Sequence, residues 1–200
     1  EVVSADSMQV YRRLDIGTAK PTPEERARVP HHLLDVADPG EAFDTVRFQE
    51  LADGAIARIH AAGRRVLVVG GTGLYLRILL WGLADVPGPD PERRRRLVAE
   101  AEAWGNITLH ARLADRDPAA ARRIHVSDRF RLVRALEVIE TTGRPISELQ
   151  DAHRFARPRY PHRMLALDVP RDALRERILR RAEAMVAAGL HRYVVVLGGG

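Results

Sequence analysis

Residues 1–22 read EVVSADSMQVYRRLDIGTAKPT, and this stretch decides the fold that we predict for the chain. Its first five residues alternate briefly between polar and apolar types and stop at Asp6 and Ser7, which predicts a short buried strand. Such a strand delivers a carboxylate and a hydroxyl to its C-terminal end. Because ligands of open α/β sheets bind at that edge, we expect a functional site around Asp6.

Basic residues follow this carboxylate closely. Arg12, Arg13 and Lys20 predict a basic rim facing Asp6. One carboxylate among cations is typical of a general base that acts on an anionic substrate. The alternative is that Asp6 caps the next helix, and the Asp-Ser pair alone favours this simpler interpretation.

A second strand and a glycine-rich turn come later. Residues 43–62 carry apolar side chains at helical spacing and predict an amphipathic helix. Residues 66–69 (VLVV) predict a strand covered on both faces. The following GGTGLY at 70–75 suits an anion, because glycines let the backbone approach it and a helix N-terminus offers free N–H groups. No Gly-Lys-Ser/Thr follows, so this is not a Walker A loop, and a tight turn that needs positive φ remains the alternative.

The middle of the chain is basic and helical. Proline-rich residues 83–91 predict a linker. A helix with four arginines at 93–96 follows, and these arginines either form a solvated surface or contact phosphates. The Ser-Asp pair at 127–128 predicts the cap of another helix, on which Arg131 and Arg134 share one face. These two arginines could pair with helix carboxylates, or grip phosphates and stack on splayed bases.

The last part predicts a return to the sheet. Residues 163–169 (RMLALDV) predict a strand, and Pro170 begins a helix. Arg177 and Arg181 lie four residues apart on it, a spacing that is most often a simple surface pair. Residues 192–200 (RYVVVLGGG) resemble the first strand of a P-loop protein, the one that precedes the phosphate-binding loop.

Composition excludes several classes of protein. The 200 residues carry a net charge of +5, which favours a polyanionic partner such as nucleic acid. They include no cysteine, which excludes disulfides and thiolate metal sites and fits a cytoplasmic protein. No apolar run reaches membrane-spanning length, so we expect no membrane partner. The eight histidines form no His-Glu-x-x-His pattern, no nucleophile triad is suggested, and no residue is assigned as a metal ligand.

Three stretches together resemble the tRNA dimethylallyltransferases, also called tRNA isopentenyltransferases. They are SADSMQVYRRLDIGTAKPT at 4–22, GGTGLY at 70–75 and DRFRLVRALEV at 128–138. Enzymes of this family attach a five-carbon allyl group to the exocyclic amine of an adenosine beside the anticodon. The resemblance covers nearly all of residues 1–190, although Val126 and Ser127 replace the usual Pro-Asn.

The resemblance implies an α/β fold with a P-loop NTPase-like parallel sheet flanked by helices. Residues 1–83 and 157–200 would form this core, and residues 84–156 an all-helical, tRNA-binding insertion domain. The family's Walker A-like loop and its carboxy-terminal RNA-contacting part have no counterpart in the sequence. The resemblance therefore implies that this chain is inactive by itself.

The resemblance also implies roles for individual residues. Asp6 would take the proton of the amine, and Thr72 would line the channel in which the nucleobase meets dimethylallyl diphosphate. Arg177 and Arg181 would bind the diphosphate, with Mg²⁺ as cofactor. The residues implied to bind the tRNA anticodon stem-loop are Asp6, Ser7, Met8, Gln9, Arg94, Phe130, Arg131, Leu132, Val133 and Arg134. We expect a monomer.

Two alternative functions stay open on the sequence. One is a small-molecule phosphotransferase of the P-loop type, such as a nucleoside kinase, which would share the sheet without needing the basic helices. The other is a non-catalytic RNA-binding fragment.

Overall fold

The structure, a computed structural model, describes residues 1–83, 86–153 and 157–190. The chain divides into an α/β unit, made of Glu1–Gly82 and the residues from Pro158 onward, and a helical unit, Leu83–Arg157. In chain order the elements are β1 (Val2–Ser4), α1 (Pro23–Arg28), β2 (His31–His32), α2 (Thr45–Ala61), β3 (Leu67–Val69), α3 (Gly73–Trp81), α4 (Pro91–Trp104), α5 (Asn106–Arg116), α6 (Pro118–Arg123), α7 (Arg129–Thr142), α8 (Ile146–His153) and α9 (Arg171–Ala187).

The α/β unit is built on three parallel strands in the order β2-β1-β3. Val2 of the central strand β1 lies opposite His31 on one side and Leu67 on the other. Because all three strands run in the same direction, their C-terminal ends meet at one edge of the sheet. This parallel sheet with flanking helices confirms the predicted α/β class.

Helix α2 covers the sheet, as the spacing at residues 43–62 predicts. It begins at an aspartate cap, where the Asp44 side chain accepts a hydrogen bond from the backbone N–H of Arg47 at 2.9 Å. Phe48 is fully buried, and its ring stacks on that of Tyr75 in α3 with 4.0 Å between the centroids. This aromatic pair fixes α3, and with it the glycine-rich turn, against the core.

The α/β unit also holds the chain where it returns at residue 158. The carboxylate of Asp53 in α2 accepts hydrogen bonds from the Arg159 guanidinium at 3.2 Å and from the Tyr160 hydroxyl at 2.6 Å. Burial and the Asp53 carboxylate raise the pKa of Tyr160 to about 12, so its hydroxyl remains a donor at neutral pH.

One strand prediction is wrong, and another is wrong about burial only. Residues 163–169 form no strand, and Leu165 and Leu167 are 91% and 95% exposed. Alternating apolar residues favour a strand, but a strand also needs a neighbour, and the described strands pair only with one another. The strand predicted at 66–69 does form, as β3, but it is not covered on both faces, because Leu67 and Val69 are about half exposed while Val68 packs against the core.

The helical unit has a separate core of leucines and valines from α4, α5 and α7. Asp117 ties α6 to α8, since its buried carboxylate accepts hydrogen bonds from the Ala120 N–H at 2.9 Å and the Ser147 hydroxyl at 2.7 Å. Asp128 caps α7, and Gly143 ends it at φ 72°, a left-handed conformation that glycine adopts without strain. None of the helices described here has the length and apolar character needed to cross a membrane. The predicted strand within residues 192–200 lies outside the described residues.

Candidate functional site

Asp6 lies directly after β1 and is half-buried at the C-terminal edge of the sheet. Its Oδ1 atom accepts hydrogen bonds from the backbone N–H groups of Met8 at 2.8 Å and Gln9 at 3.2 Å. The side chain therefore caps the turn that follows the strand. It does not cap a helix, as the alternative interpretation had it. No group in the described part of the chain bonds to its Oδ2 atom, so one carboxylate oxygen is held in place and the other is available to a ligand.

Thr72 is hydrogen-bonded to both chain neighbours of Asp6, Ala5 and Ser7, although 66 positions separate Thr72 from Asp6 in the sequence. The Thr72 hydroxyl accepts a hydrogen bond from the Ser7 N–H at 3.0 Å and donates one to the Ser7 hydroxyl at 3.3 Å. The Thr72 N–H donates to the Ala5 carbonyl at 3.2 Å. Since β1 and β3 are parallel neighbours, the loops that follow them meet at one edge, and these bonds fasten the two loops together.

A cavity of about 190 Å³ opens beside this junction. Asp6 and Met8 line it from the loop after β1, and Arg181 and Met185 line it from α9. The remaining lining residues are Gly17 and Thr18. The cavity therefore combines one carboxylate and one guanidinium, which are the predicted base and one of the two predicted diphosphate ligands. Arg177, the other predicted ligand, is exposed one turn earlier on α9 and does not line the cavity.

The predicted basic rim opposite Asp6 is wrong. Arg12 and Arg13 pair with the Asp38 carboxylate at 3.1 and 3.6 Å and do not line the cavity. The Lys20 side chain is 1% exposed, and its Nζ atom donates at 2.7 Å to each of three oxygens: the Tyr11 carbonyl, Asp15 Oδ1 and Asp35 Oδ1. Closeness in sequence suggested that these cations face the substrate. They neutralise carboxylates of the loops instead.

Lys20 joins the two loops that follow β1 and β2. Burial opposes ionisation of Asp35, but its hydrogen bonds from Lys20 and Arg26 outweigh burial and lower the pKa of that carboxyl. The same loops hold four non-glycine residues at positive φ: Arg13, Ala19, Leu33 and Asp35. This conformation is costly for L-residues, so the buried ammonium group maintains a strained arrangement. The partners of Lys20 lie 5 to 15 positions away in no recognisable motif, so sequence reasoning missed this cluster.

Gln9 is also used inside the loop after β1. Its Nε2 atom donates to the carbonyls of Thr18 at 3.1 Å and Ala19 at 3.3 Å, and its Oε1 atom accepts from the Ser4 hydroxyl at 3.1 Å. Met8, by contrast, is half exposed and lines the cavity. Of these neighbouring residues, Met8 offers its side chain to a ligand while Gln9 shapes the loop.

In the helical unit, Arg94 and Arg134 converge on one buried carboxylate. Glu137 is 1% exposed and accepts hydrogen bonds from Arg94 at 2.9 Å and Arg134 at 2.7 Å, and from the Asp90 N–H at 2.8 Å. Burial opposes its ionisation, but these three bonds prevail and lower the pKa of the Glu137 carboxyl. Arg134 also donates to the Pro87 carbonyl at 2.6 Å. Its pairing with a helix carboxylate is therefore the arrangement in the structure.

The other predicted RNA-binding residues of α7 differ in exposure. Leu132 is fully buried in the core of the helical unit, so its side chain presents no surface to a ligand. Val133 is also buried, yet it lines a second cavity, together with the exposed Phe130. Arg131 is exposed and pairs with its own cap residue, Asp128.

A family model described as IPP transferase matches residues 9–197. The tRNA dimethylallyltransferase of Anaeromyxobacter dehalogenans (strain 2CP-C) is 59% identical over 190 residues, which cover 95% of this chain and 63% of that protein. The tRNA dimethylallyltransferase of Geobacter metallireducens is 53% identical over 190 residues, or 95% of this chain and 62% of that protein. The chain thus spans slightly over three fifths of the length of these curated relatives.

Two solved structures are also similar to this chain. The crystal structure of the full-length tRNA isopentenylpyrophosphate transferase of Bacillus halodurans has a TM-score of 0.59 and 42% identity, covering 95% of this chain and 58% of that one. A eukaryotic dimethylallyltransferase, described in crystallographic snapshots as acting on tRNA, has a TM-score of 0.79 and 28% identity, covering 98% and 49%.

Proposed function

Because this chain belongs to the IPP transferase family, we propose that the protein transfers a dimethylallyl group from dimethylallyl diphosphate to the exocyclic amine of the adenosine 3′ to the anticodon in tRNA. One observation supports this proposal above all others. A single cavity is lined by a half-buried carboxylate and by an arginine, which suits a base and an anion ligand acting together.

Asp6 acts as the general base. An exocyclic amine is too weak an acid to ionise alone, so a positioned carboxylate must accept its proton while the nitrogen attacks. The bond between this nitrogen and the allylic carbon forms, the bond from that carbon to the diphosphate oxygen breaks, and the proton moves to Asp6. The two N–H groups on Oδ1 fix the carboxylate, which leaves Oδ2 to receive the proton.

Thr72 lines the channel in which the base meets the allyl diphosphate. Its hydroxyl is oriented by Ser7, and these bonds tie the loop that carries Asp6 and Ser7 to the loop that carries Thr72. Ser7 and the exposed Met8 contact the incoming nucleobase at the entrance, and Gln9 supports them through the loop backbone.

Arg181 binds the diphosphate leaving group. A guanidinium presents several N–H donors in a plane and stabilises the charge that develops as the carbon–oxygen bond breaks. Arg177, on the same helix, is exposed and adds a second cation for the diphosphate when the substrate is bound.

The Mg²⁺ ion implied by the family resemblance has no evident protein site in the described residues. Within those residues, no group of three or more histidine, cysteine, aspartate or glutamate side chains could hold a metal ion, and Asp6 is the single carboxylate that lines the cavity. Since Mg²⁺ commonly binds one or two carboxylates together with substrate phosphates, it would arrive with the diphosphate. The roles proposed for Asp6 and Arg181 do not depend on it.

The RNA partner is held by the helical unit. Its exposed cations, Arg131 among them, contact phosphates, and Arg94 and Arg134 contribute positive potential from fixed positions on Glu137. Such binding should weaken steeply with salt. A nucleoside kinase would show no comparable, salt-dependent affinity for an anticodon stem-loop.

The decisive experiment uses a chimera in which residues 1–190 replace the matching segment of the 59% identical relative. Incubated with an anticodon stem-loop RNA and dimethylallyl diphosphate, the chimera should yield prenylated adenosine, detected by mass spectrometry. Asp6→Asn should reduce transfer by about 100-fold or more and leave RNA affinity within about twofold. Asp151→Asn, at an exposed carboxylate of α8, is the matched control and should retain full transfer.

Two results would contradict the proposal. An inactive chimera beside an active parent would show that these residues do not carry the chemistry. Undiminished transfer by Asp6→Asn would remove Asp6 as the base.

A further inference from the structure

Helix α9 turns one large apolar side chain toward the cavity beside Asp6. The other large apolar side chains of this helix are exposed: Leu174, Ile178, Leu179 and Val186. Met185, in contrast, is half-buried and lines the cavity. A thioether neither accepts the proton of an amine nor holds a diphosphate, so the roles proposed for Asp6 and Arg181 leave Met185 unexplained.

The end of α9 fixes the position of Met185. Gly189 has a φ of 98°, and its N–H donates to the Val186 carbonyl at 3.0 Å. The Leu190 N–H donates to the Met185 carbonyl, also at 3.0 Å. Together these two bonds form a Schellman motif, which ends the helix at a defined residue.

The same end of α9 rests against the loop after β1. A Cβ atom added to Gly17 would lie 3.0 Å from the Cδ1 atom of Leu190, which is closer than such atoms normally approach. Gly17 also lines the cavity. The last turn of α9 is therefore seated on the cavity wall, and the space beyond Met185 is limited by the contact between Leu190 and Gly17.

Met185 lies one helical turn beyond Arg181, the residue proposed to bind the diphosphate. Four residues advance an α-helix by about 6 Å and bring their side chains to one face. Both side chains line the same cavity. The allyl chain of dimethylallyl diphosphate starts at a diphosphate oxygen and is about as long as one helical turn. A diphosphate on Arg181 therefore places this chain beside Met185.

We propose that Met185 forms the subsite for the allyl chain and limits the length of chain that the cavity accepts. This inference rests on the proposed function, since it starts from a diphosphate bound to Arg181. The thioether is apolar, flexible and polarisable, so it packs well against a branched hydrocarbon. A ten-carbon geranyl chain would extend past Met185 to the contact between Gly17 and Leu190, where even one added Cβ atom is too close.

The first test measures binding of two ligands to the 200-residue chain by isothermal titration calorimetry. One is dimethylallyl S-thiolodiphosphate, an analogue whose sulfur bridge resists transfer, and the other is inorganic diphosphate, which has no hydrocarbon chain. The analogue should bind about 10-fold more tightly, because its chain adds apolar contact. Met185→Ala should abolish this difference and leave the affinity for inorganic diphosphate within about twofold.

Three further variants make the binding test specific. Met185→Leu keeps an apolar side chain of similar volume and should recover most of the difference between the ligands. Met164→Ala is the matched control, since Met164 is 59% exposed in the same unit and does not line the cavity. Arg181→Gln should weaken both ligands by the same factor, because it removes a contact that they share. Circular dichroism of each variant shows whether it is folded.

The second test measures chain-length preference in the chimera. Prenyl transfer to the anticodon stem-loop is compared for dimethylallyl diphosphate and geranyl diphosphate. The parent chimera should prefer the five-carbon donor. Met185→Ala opens space along the chain, so it should raise kcat/KM for geranyl diphosphate, relative to that for dimethylallyl diphosphate, by about 10-fold. Met164→Ala should leave this ratio unchanged.

The outcomes separate this proposal from the proposed function. Equal affinity of the parent chain for both ligands, or a difference that survives Met185→Ala, overturns the allyl subsite, and transfer by the chimera then decides the proposed function independently. A chain that binds neither ligand overturns the subsite as well. If Met185→Ala abolishes the difference but the chimera transfers nothing, the subsite is supported and the proposed transfer is refuted.

Discussion

Gly70 is predicted to position the catalytic base without touching substrate. A Cβ atom at residue 70 would lie 2.2 Å from the Ala5 carbonyl oxygen and 2.8 Å from the Ala5 Cα atom. Non-bonded heavy atoms prefer about 3.5 Å, so Gly70→Ala must push this backbone away by about 1 Å. Ala5 directly precedes Asp6, so the displacement carries the carboxylate with it.

The expected effect of Gly70→Ala is mainly on turnover. A misplacement of about 1 Å can cost about 100-fold in rate, and we expect a loss of this size in kcat of the chimera. The KM for RNA should change less than kcat, since the phosphate contact proposed for Arg131 lies in the helical unit. Overpacking should also lower the free energy of unfolding by about 1–3 kcal/mol, measured by urea denaturation.

The adjacent glycine provides the control for Gly70→Ala. A Cβ atom at Gly71 meets nothing within 4 Å, so Gly71→Ala should retain turnover within about threefold. Wild-type turnover in Gly70→Ala would refute the reasoning. Equal losses in both variants would show that the close approach to Ala5 is not the cause.

Two further predictions concern buried charges, both measured by urea denaturation followed by circular dichroism. Lys20→Met leaves Asp35 without its buried donor and should lower the free energy of unfolding by about 3 kcal/mol. Turnover of the chimera should fall as well. An unchanged urea midpoint would contradict the role of Lys20 in joining the loops after β1 and β2. Glu137 has a folded-state pKa below its ordinary value of 4.5, so its stabilisation is present above that pH and is lost as the pH falls below it. Glu137→Gln should therefore lower the free energy of unfolding by about 2 kcal/mol at pH 7 and weaken its dependence on pH in the acid range. If the free energy of unfolding varied with pH in the same way for both proteins, this role of Glu137 would be ruled out.

Local patterns predicted the parts of the site that depend on strand direction. Asp6 and Thr72 each follow a strand, and parallel strands bring such residues to one edge whatever their separation in sequence. The roles of Lys20 and Gln9 depend instead on the path of irregular loops. Their partners are carbonyl and carboxylate oxygens that hydrophobic periodicity does not reveal. The strand wrongly predicted at 163–169 has the same cause. Strand propensity describes a single segment, whereas a strand forms only when a second segment pairs with it.

The arginines of α4 show why net charge is a poor guide to an RNA-binding surface. In the run at 93–96, Arg93 pairs with Asp90 at 2.8 Å, Arg94 pairs with Glu137, and Arg96 pairs with Glu140. Three of these four arginines therefore already have carboxylate partners within the helical unit, and these pairs fasten α4 to its own cap and to α7. A cation that already has a carboxylate partner releases fewer counterions from RNA than a free one. The exposed Phe130 has no comparable structural role, because its ring lies mostly in water. One aromatic ring that folding leaves exposed beside a fixed guanidinium is thus stronger evidence for an RNA contact than the arginine run that dominates the sequence.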